Sequence, residues 1–311
     1  MNVIVTGGAG FIASHIVDVL IKKKHRVIVV DNLSNGKKEN INPGAIFYKL
    51  DIRSPRMNDI FHKYKIDILN HHAAQIDLRK SVRNPVFDAR VNILGSLNLL
   101  ENCIRYKVKK VIFASTGGAM YGNVQGPAAS ESSRLCPLSP YGVAKCSIEF
   151  YIKYYEVTYG IPWTILRYAN VYGERQDPLG EAGVIAIFTK AMLDGRQPVI
   201  YGDGRQVRDY VYIADVVRAN LLAIREGTNQ IFNIGTGIGT SVNTLYEKIS
   251  QLTGFNKKPV HLSPRKGELR CSKIAFAKAQ NVLGWKPLIN LDEGLARTVK
   301  YFQDKSCKKV E

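Results

Sequence analysis

Tyr141 and Lys145 are spaced for acid–base chemistry, because residues four apart on a helix lie on the same face and their side chains can meet. A free phenol has a pKa near ~10, so a tyrosine that accepts a proton at neutral pH needs that pKa lowered by about 3 units, or roughly 4 kcal/mol. A neighbouring ammonium group supplies part of this energy. Ser115 and Thr116 form a polar strand end upstream of the pair. Taken alone, the spacing also fits an ordinary structural helix.

A glycine-rich turn near the start of the chain supplies the context that the pair needs. The residues Gly7-Gly8-Ala9-Gly10-Phe11-Ile12-Ala13 follow a short β-branched run and open a helical pattern, so their N–H groups can face a dinucleotide pyrophosphate. Asp31 ends the next strand about 20 residues after Gly10, where a carboxylate binds the adenosine ribose and repels a 2′-phosphate. The pattern predicts NAD rather than NADP; a tight turn followed by a solvated aspartate is the alternative. An oxidised nicotinamide would add to the effect of Lys145 on the pKa of Tyr141.

The elements that position these residues alternate between strands and helices, which is typical of a parallel sheet. The predicted strands are Asn2 to Thr6, Arg26 to Asp31, Ile46 to Leu50, Ile66 to His71, Val111 to Ser115, Trp163 to Tyr168 and Gln230 to Ile234. The predicted helices are Phe11 to Lys23, Val91 to Tyr106, Pro140 to Tyr159 and Tyr210 to Ile224. The pattern predicts an α/β fold with a Rossmann-type, doubly wound parallel sheet.

The alternation loosens after Tyr168, where glycine, proline and polar residues dominate Gly173 to Gly183 and Gly202 to Arg208. A strand and a helix then return, so a smaller C-terminal substrate domain is expected to be interleaved with the first domain. We assign residues 1–168 and 209–238 to the dinucleotide-binding domain, and residues 169–208 and 239–311 to the substrate domain.

Composition limits the possible function classes. The chain has 311 residues, of which 45% are hydrophobic and 23% are charged, within the range of folded globular proteins. Its net charge of +18 is dispersed without interleaved aromatic residues, so we expect a solvated basic face and no nucleic-acid partner. We also expect no membrane span and no export signal. Five scattered cysteines predict neither disulfides nor a zinc site and favour the cytoplasm. His71 and His72 lack partners at ligand spacing, so no metal is expected.

Several further motifs are each short but specific in combination: Thr6-Gly7-Gly8-Ala9-Gly10-Phe11-Ile12, Asp31-Asn32-Leu33-Ser34-Asn35-Gly36, Tyr141 with Lys145, and Leu166-Arg167-Tyr168-Ala169-Asn170-Val171-Tyr172-Gly173. Together they resemble the extended short-chain dehydrogenases/reductases of the NAD-dependent epimerase/dehydratase family, and among these the UDP-glucose 4-epimerases most closely. The resemblance spans nearly the whole chain, since it extends to Gly202-Asp203-Gly204, Val207-Arg208-Asp209-Tyr210 and Arg265-Lys266-Gly267-Glu268.

The resemblance implies a set of cofactor contacts. It assigns the pyrophosphate to Gly7, Gly10, Phe11 and Ile12, the adenosine ribose to Asp31, Asn32 and Asn35 with Gly36 beside them, and the adenine to Asp51 and Ile52. It places Ala73, Ala74, Gln75 and Asn92 near the middle of NAD, and Tyr141, Lys145 and Tyr168 at the nicotinamide end.

The resemblance also implies the substrate contacts. Asn170, Arg208 and Arg265 would hold the nucleotide diphosphate and Glu268 its ribose, with Gly183, Val184 and Tyr201 in the same site. Thr116 and Tyr141 would contact the sugar, and Ser272 would lie beside its C2 substituent. Many members carry a serine or threonine where this chain has Gly117, so the catalytic hydroxyl is expected from Thr116, with Ser115 as the alternative.

The implied reaction is oxidation of the sugar at C4 and its re-reduction on the opposite face, with Tyr141 as the base and Lys145 as its support. Related dehydratases and decarboxylases carry a carboxylate after the catalytic hydroxyl, whereas Gly117-Gly118-Ala119-Met120 has none, which favours epimerisation. Glucose/galactose, their N-acetylated forms and uronic acids remain open as the sugar. A dinucleotide-sensing or RNA-binding protein without chemistry is the alternative from another class.

The resemblance implies a homodimer in which the helices around Asn92 to Tyr106 and Tyr141 to Tyr159 pair with their copies. The residues expected on the outer faces of these helices are Leu99, Cys103, Tyr106, Phe150 and Tyr154, a larger apolar area than a monomer normally exposes.

Overall fold

The protein is described by a computed structural model covering residues 1–179, 183–265 and 268–307. Its strands in chain order are β1 (Asn2–Thr6), β2 (Arg26–Asp31), β3 (Ile46–Lys49), β4 (Ile68–His71), β5 (Lys110–Thr116), β6 (Trp163–Tyr168), β7 (Asn170–Tyr172), β8 (Val199–Tyr201), β9 (Val207–Tyr212), β10 (Gln230–Ile234), β11 (Gly239–Ser241), β12 (Val260–Leu262) and β13 (Cys271–Ser272).

The helices lie between these strands. They are α1 (Phe11–Lys22), α2 (Met57–Tyr64), α3 (Leu78–Arg83), α4 (Pro85–Ala89), α5 (Gly95–Arg105), α6 (Pro140–Tyr159), α7 (Val184–Leu193), α8 (Ile213–Ala223), α9 (Val242–Thr253), α10 (Ala277–Leu283) and α11 (Leu291–Cys307). A 3₁₀ turn spans Lys38–Asn40, and a π-helical turn spans Arg90–Leu94 between α4 and α5.

A seven-stranded parallel sheet forms the centre of the molecule, with the strand order β10-β6-β5-β4-β1-β2-β3. Helices cover both of its faces, so alternate residues of one strand enter different cores: Val3 and Val5 pack on the side of α1, and Ile4 packs on the side of α2. Burial on both faces explains why the strands are continuous apolar runs. The predicted Rossmann-type α/β fold is therefore confirmed.

The carboxyl ends of the central strands lie at one edge of this sheet. The register pairs Thr6 with His71 across β1 and β4, and Thr116 with Tyr168 across β5 and β6. In open parallel sheets, ligands bind in the crevice outside this edge. Residues from distant parts of the sequence therefore meet where the chemistry was expected.

The smaller sheets belong to the later part of the chain. β11, β9 and β13 form one sheet to which β7 also pairs, and β12 pairs with β8. β9 runs through residues 208 and 209, where the sequence placed a domain boundary, while α8 and β10 return to the large sheet.

Two predicted helices differ from the structure. The segment predicted as one helix from Val91 instead begins within the π-helical turn Arg90–Leu94, which α5 follows. The helix α4, which Asn84 caps by accepting from the N–H of Phe87, lies before the predicted segment. The helix predicted from Tyr210 begins at Ile213, since Tyr210 to Tyr212 complete β9. No described helix is long and apolar enough to cross a membrane.

Candidate active site

The turn between β1 and α1 forms a narrow cradle of backbone. Gly7 has a φ of 72°, a left-handed conformation that favours glycine, and a Cβ there would lie 2.8 Å from the backbone nitrogen of Ala73. Gly10 precedes α1 without a side-chain cap, and Phe11 and Ile12 are the first helical residues. Because first-turn N–H groups have no partners within the helix, this turn can bind a pyrophosphate.

Asp31 lies at the end of β2 beside that cradle. One carboxylate oxygen accepts from the N–H of Ala9 at 3.0 Å and the other from the N–H of Leu33 at 2.8 Å. Burial raises the pKa of Asp31, and these two backbone hydrogen bonds oppose the rise. A Cβ on Gly36 would lie 2.8 Å from both oxygens, so the loop carrying Gly36 and the exposed Asn35 closes over the carboxylate.

Asp51, after β3, lies next to the Asp31 loop. Arg53 donates to both of its carboxylate oxygens at 2.8 Å, and Asn32 donates to it at 2.9 Å. The hydrogen bonds from Arg53 lower the pKa of Asp51 to about 2. The side chain of Ile52 is buried against Gly95 at the start of α5. The structure thus brings Asn32 and Asp51 together at the adenine end of the expected site.

The segment after β4 passes over the centre of the same edge. The N–H of Ala73 donates to the hydroxyl of Thr6 at 3.2 Å, and Ala74 follows it, half-buried. Gln75 and Asn92 form a reciprocal pair: the N–H of Gln75 donates to the Asn92 side chain at 2.8 Å, and that side chain donates to the Gln75 carbonyl at 3.0 Å. These four expected cofactor residues therefore line one wall.

Asp88 is a site residue that the sequence analysis missed. It is 1% exposed, and one carboxylate oxygen accepts from the side chains of Gln75 at 2.9 Å and Asn92 at 3.0 Å. Its other oxygen is buried and has no hydrogen-bond partner among the described residues. Its position four residues before Asn92 on a helical pattern is the signal that would have found it.

Tyr141 and Lys145 lie in the first turns of α6, which begins where Ser139 accepts a hydrogen bond from the N–H of Gly142. The Lys145 ammonium donates to the carbonyl of Ala114 at 2.8 Å and lies 4.6 Å from the centre of the Phe113 ring. It lies 5.9 Å from the centre of the Tyr141 ring. β5 therefore fixes the ammonium directly beside the phenol.

Burial and the neighbouring carboxylates set the electrostatics of this pair in the protein alone. Burial lowers the pKa of Lys145 to about 8, although the charges of Asp88 and Glu149 oppose the shift. Burial and the charge of Asp88 raise the pKa of Tyr141 above its ordinary value in the protein alone. Lys145 by itself therefore does not lower the pKa of Tyr141, and the joint effect expected of Lys145 and a bound oxidised nicotinamide stays a prediction.

The two candidate hydroxyls at the end of β5 have different environments. Ser115 is buried and donates to Glu149 at 2.6 Å, and Glu149 forms a buried ion pair with Arg167 at 2.5 Å. Thr116 is half-buried, and its hydroxyl accepts from the N–H of Ala119 at 3.2 Å. Thr116 thus faces the loop that leads to Tyr141, whereas the Ser115 hydroxyl is already bonded to Glu149.

Tyr168 lies at the end of β6, where the nicotinamide is expected. Its ring stacks on His72 with centroids 6.0 Å apart, and its hydroxyl contacts His72 at 3.1 Å and Asn220 at 2.8 Å. Burial raises the pKa of this phenol. The expected cofactor neighbour is therefore a rigid, neutral side chain held from the opposite face by α8.

The side chains expected at the sugar converge beyond Thr116. A Cβ on Gly118 would lie 3.1 Å from the side-chain Oδ1 of Asn170 and 3.9 Å from the Thr116 hydroxyl. Ser272 is 3% exposed and donates to the carbonyl of Gly118 at 3.3 Å. Asn170, Thr116 and Ser272 therefore surround one small loop.

The two arginines expected at the diphosphate each contact another residue that is expected in the substrate site. Arg208 forms an ion pair with Glu268 at 3.6 Å, and Arg265 lies over the ring of Tyr201 at 3.7 Å. Lys266 and Gly267, between Arg265 and Glu268, lie outside the described residues. Gly183 precedes α7 and Val184 begins it, so this pair presents a helix N-terminus. The two pairs meet through the backbone, where the N–H of Glu268 donates to the carbonyl of Arg265 at 3.3 Å.

Metal chemistry has no ligand set in the described ranges, where no three histidine, cysteine, aspartate or glutamate side chains group together. Both ring nitrogens of His71 already have hydrogen-bond partners: Nδ1 lies 2.7 Å from the Thr6 hydroxyl and Nε2 lies 2.8 Å from the Ser96 hydroxyl.

Comparison with known proteins identifies a matching family and several similar solved structures. The NAD dependent epimerase/dehydratase family matches residues 3–235. The crystal structure of UDP-glucose 4-epimerase with UDP-glucose from Thermotoga maritima is 54% identical, covering 98% of this chain and 100% of that one with a TM-score of 0.97. The Thermus thermophilus UDP-glucose 4-epimerase complex with NAD is 43% identical (97% and 99% covered, TM-score 0.93). UDP-N-acetylglucosamine 4-epimerase from Methanobrevibacter ruminantium in complex with UDP-N-acetylmuramic acid is 37% identical (98% of both chains, TM-score 0.92).

Proposed function

The chain belongs to the NAD dependent epimerase/dehydratase family, and we propose that it interconverts UDP-glucose and UDP-galactose by NAD-dependent 4-epimerisation. The observation that carries the proposal is the buried Tyr141/Lys145 pair, held against β5 at the sheet edge where the phosphate cradle also opens. The relatives with UDP-glucose and with NAD support this choice of substrate and cofactor.

NAD is the cofactor, and the geometry of the first half of the site fits it. The Gly7 cradle has no room for a Cβ, and the buried Asp31 carboxylate lies where an adenosine ribose would follow. We assign the pyrophosphate to the start of α1, the ribose to Asp31, and the nicotinamide end to Lys145 and Tyr168. When bound, NAD accepts a hydride from the sugar and returns it.

The protein's part in the reaction is to move one proton and to hold the sugar. Tyr141 takes the proton of the sugar 4-hydroxyl and later returns it, and Thr116 donates to or accepts from the same oxygen. The hydrogen bond to the Ala114 carbonyl holds the Lys145 amino group beside Tyr141. The 4-keto sugar turns about its link to the diphosphate, while Arg208, Arg265 and Asn170 keep the nucleotide in place.

The loop after Thr116 favours epimerisation over elimination or decarboxylation. Glu131 is the one acid between residues 117 and 139, and its carboxylate accepts from the backbone N–H of Asn233 at 2.7 Å, at the edge strand β10. Residues 117–120 supply no acid or base, so this loop offers no carboxylate that could complete a dehydration.

A homodimer is part of the proposal, although the surface differs from the expectation. Leu99 and Cys103 are fully buried in the core between α5 and the sheet, and Tyr106 is half-buried. Phe150 and Tyr154 are exposed as expected. Further exposed apolar side chains extend the face along α6: Val143, Tyr151, Val157 and Tyr159. An apolar stripe of this size favours pairing with a second copy.

The remaining expectations concern the surroundings of the protein. We propose a cytoplasmic enzyme without a nucleic-acid or membrane partner, because its described cysteines are unpaired and its basic residues do not interleave with aromatics in the sequence.

The test is to incubate the purified protein with separate UDP-sugars and to separate the products. UDP-galactose should give UDP-glucose, and the reverse, with no net consumption of NAD. Exclusive turnover of UDP-glucuronate would move the protein to a uronate epimerase, and loss of water or carbon dioxide would move it to a dehydratase or decarboxylase. No turnover of any sugar by NAD-loaded protein would support the non-catalytic alternative.

A further inference from the structure

Asp88 is a buried carboxylate that none of the assignments above uses. It lies in α4, which packs against α6, and the surface over it is lined by Ser139, Pro140 and Ala144 from the first turns of α6. Its two oxygens differ: one accepts from Gln75 and Asn92, and the other is buried without a partner. A buried carboxylate with an unpartnered oxygen costs free energy, so its retention calls for a compensating interaction.

Burial raises the pKa of Asp88, and the hydrogen bonds from Gln75 and Asn92, followed by the positive charge of Lys145, oppose the rise. The charge of Lys145 is therefore one part of the compensation. The carboxylates whose charges act on Lys145 are Asp88 and Glu149. Glu149 is already neutralised by Arg167, which donates to both of its oxygens, and it also accepts from Ser115. The ammonium itself has a carbonyl partner, Ala114, which carries no charge. Asp88 is therefore the negative charge available to balance Lys145.

The other groups around Lys145 do not supply that balance. The titratable groups facing it are Tyr141 and Glu149 from α6, His71 and His72 from the end of β4, and Arg167 from β6 beyond Glu149. Burial keeps both histidines neutral at neutral pH. Charged groups on the neighbouring helices have other partners: Lys80 of α3 lies over Phe87 at 4.6 Å, and Glu101 of α5 accepts from Tyr155.

We propose that Asp88 is a positioning residue with two parts: its charge keeps Lys145 protonated inside the apolar site, and its bonded oxygen fixes Gln75 and Asn92 against the middle of the cofactor. This inference rests on the proposed function, because it gives Lys145 and Asn92 their roles. Asp88 itself touches neither the sugar nor the reacting atoms in this assignment.

Two substitutions separate the two parts. Asp88→Asn keeps an oxygen that accepts from Gln75 and Asn92 but removes the charge, whereas Asp88→Ala removes both. Loss of the negative charge disfavours the ammonium of Lys145 and favours the phenolate of Tyr141, so the pKa of each group falls. In Asp88→Asn, both limbs of the pH profile of kcat/KM should move to lower pH by about one unit, while NAD affinity changes less than about tenfold. Asp88→Ala should show the same displacement with NAD affinity weakened more than tenfold.

The charge can be measured without turnover. In cofactor-free protein labelled with 13C at lysine Cε, the signal that disappears in Lys145→Arg reports the titration of Lys145. Its midpoint is expected near pH 8 in the unsubstituted protein and lower in Asp88→Asn.

The matched control is Asp215→Asn, which neutralises another buried carboxylate. Asp215 lies in α8, is 2% exposed and accepts from the N–H groups of Leu288 and Ile289. The substitution should lower the melting temperature and leave the pH profile and the Lys145 titration in place. Asp88 variants that fold, by circular dichroism, yet titrate as the unsubstituted protein does would overturn the proposal. If no UDP-sugar reacts, the proposed function fails, while the lysine titration still decides the charge balance.

Discussion

The ammonium of Lys145 lies 5.9 Å from the centre of the Tyr141 ring, four residues earlier on the same helix, and is fixed there by the carbonyl of Ala114. This arrangement places a positive charge near the phenol whenever Lys145 is protonated. Because burial and Asp88 raise the pKa of Tyr141 in the protein alone, the phenolate forms readily only when further positive charge arrives beside it. We therefore expect proton removal by Tyr141 to depend on occupation of the cofactor site.

Replacing Tyr141 by phenylalanine should reduce turnover by about 10² to 10⁴-fold, since a positioned base contributes that much to a proton transfer. The fold and NAD binding should be retained, because the ring remains and only the hydroxyl is lost. Product formation from UDP-galactose, circular dichroism and NAD titration measure the three properties. Tyr151→Phe, on the exposed part of the same helix, is the control. More than a tenth of the activity remaining in Tyr141→Phe would require another base.

The carboxylate of Asp31 should make the protein prefer NAD over NADP by about tenfold or more, because a 2′-phosphate would lie against a buried negative charge. Calorimetric titration with both dinucleotides measures the ratio. Asp31→Ser should narrow it, with some loss of stability as the N–H groups of Ala9 and Leu33 lose a charged acceptor. Tighter binding of NADP than of NAD by the unsubstituted protein would contradict this assignment.

The small side chain of Ser272 should leave room for an N-acetyl group at the sugar C2, so we expect turnover of both UDP-galactose and UDP-N-acetylgalactosamine. Ser272→Tyr should suppress the N-acetylated pair by about 10 to 200-fold, the range of a 1–3 kcal/mol contact, and affect the hexoses less.

Ser272→Ala is the control for that series, because it removes the hydrogen bond to Gly118 without adding bulk. Failure of the unsubstituted protein to turn over the N-acetylated sugars, under conditions where UDP-galactose reacts, would show that other residues close the pocket.

Acid should destabilise the protein through its buried histidines. Burial and the charge of Lys145 lower the pKa of His72 from 6.5 to about 3, and burial lowers that of His71 as well. The unfolded chain therefore binds more protons below pH 6.5, and stability is lost as pH falls from 6.5 towards 3, by at most about 1.4 kcal/mol per pH unit for each histidine. The free energy of unfolding, measured with urea at several pH values, should fall less steeply with decreasing pH in His72→Gln than in the control His62→Gln, whose side chain is exposed. An equal fall in the two variants would refute the assignment.

Light scattering at micromolar concentration should give a mass of twice 34.7 kDa, since the exposed stripe on α6 is expected to pair with a second copy. Phe150→Lys combined with Tyr154→Lys places charges in that stripe and should yield monomers with an unchanged circular dichroism spectrum. The control is Leu179→Lys, which places a charge at an exposed site outside α6. Phe47→Ala would not serve, because it removes core packing. A monomeric unsubstituted protein would disprove the interface.

Local signals explain which elements the sequence predicted well. α6 has the predicted bounds because Ser139 and Pro140 start it and Gly160, with a φ of 69°, ends it. β1, β2 and β6 also have their predicted bounds, as buried apolar runs next to glycine or charged residues.

Features that depend on distant contacts were not predictable in this way. The spacing of Leu99 and Cys103 shows that they share a helix face, but the packing of α5 decides that this face points inward. β13 has two residues and exists because it pairs with β9, more than sixty positions away. The hydrogen bonds of Asp88 with Gln75 likewise arise only after β4 and α4 have come together.

The position of β10 has a consequence for synthesis on the ribosome. β6 is buried along its whole length, yet its outer partner β10 follows after a long excursion of the chain. At cellular elongation rates the segment from Tyr168 to Gln230 takes about 3 to 12 s to emerge. During that interval the nascent sheet ends in an apolar strand with unpaired backbone groups, the kind of edge to which other chains add. Translation speed over this segment, and chaperones that shield the edge, therefore bear directly on the yield of folded enzyme.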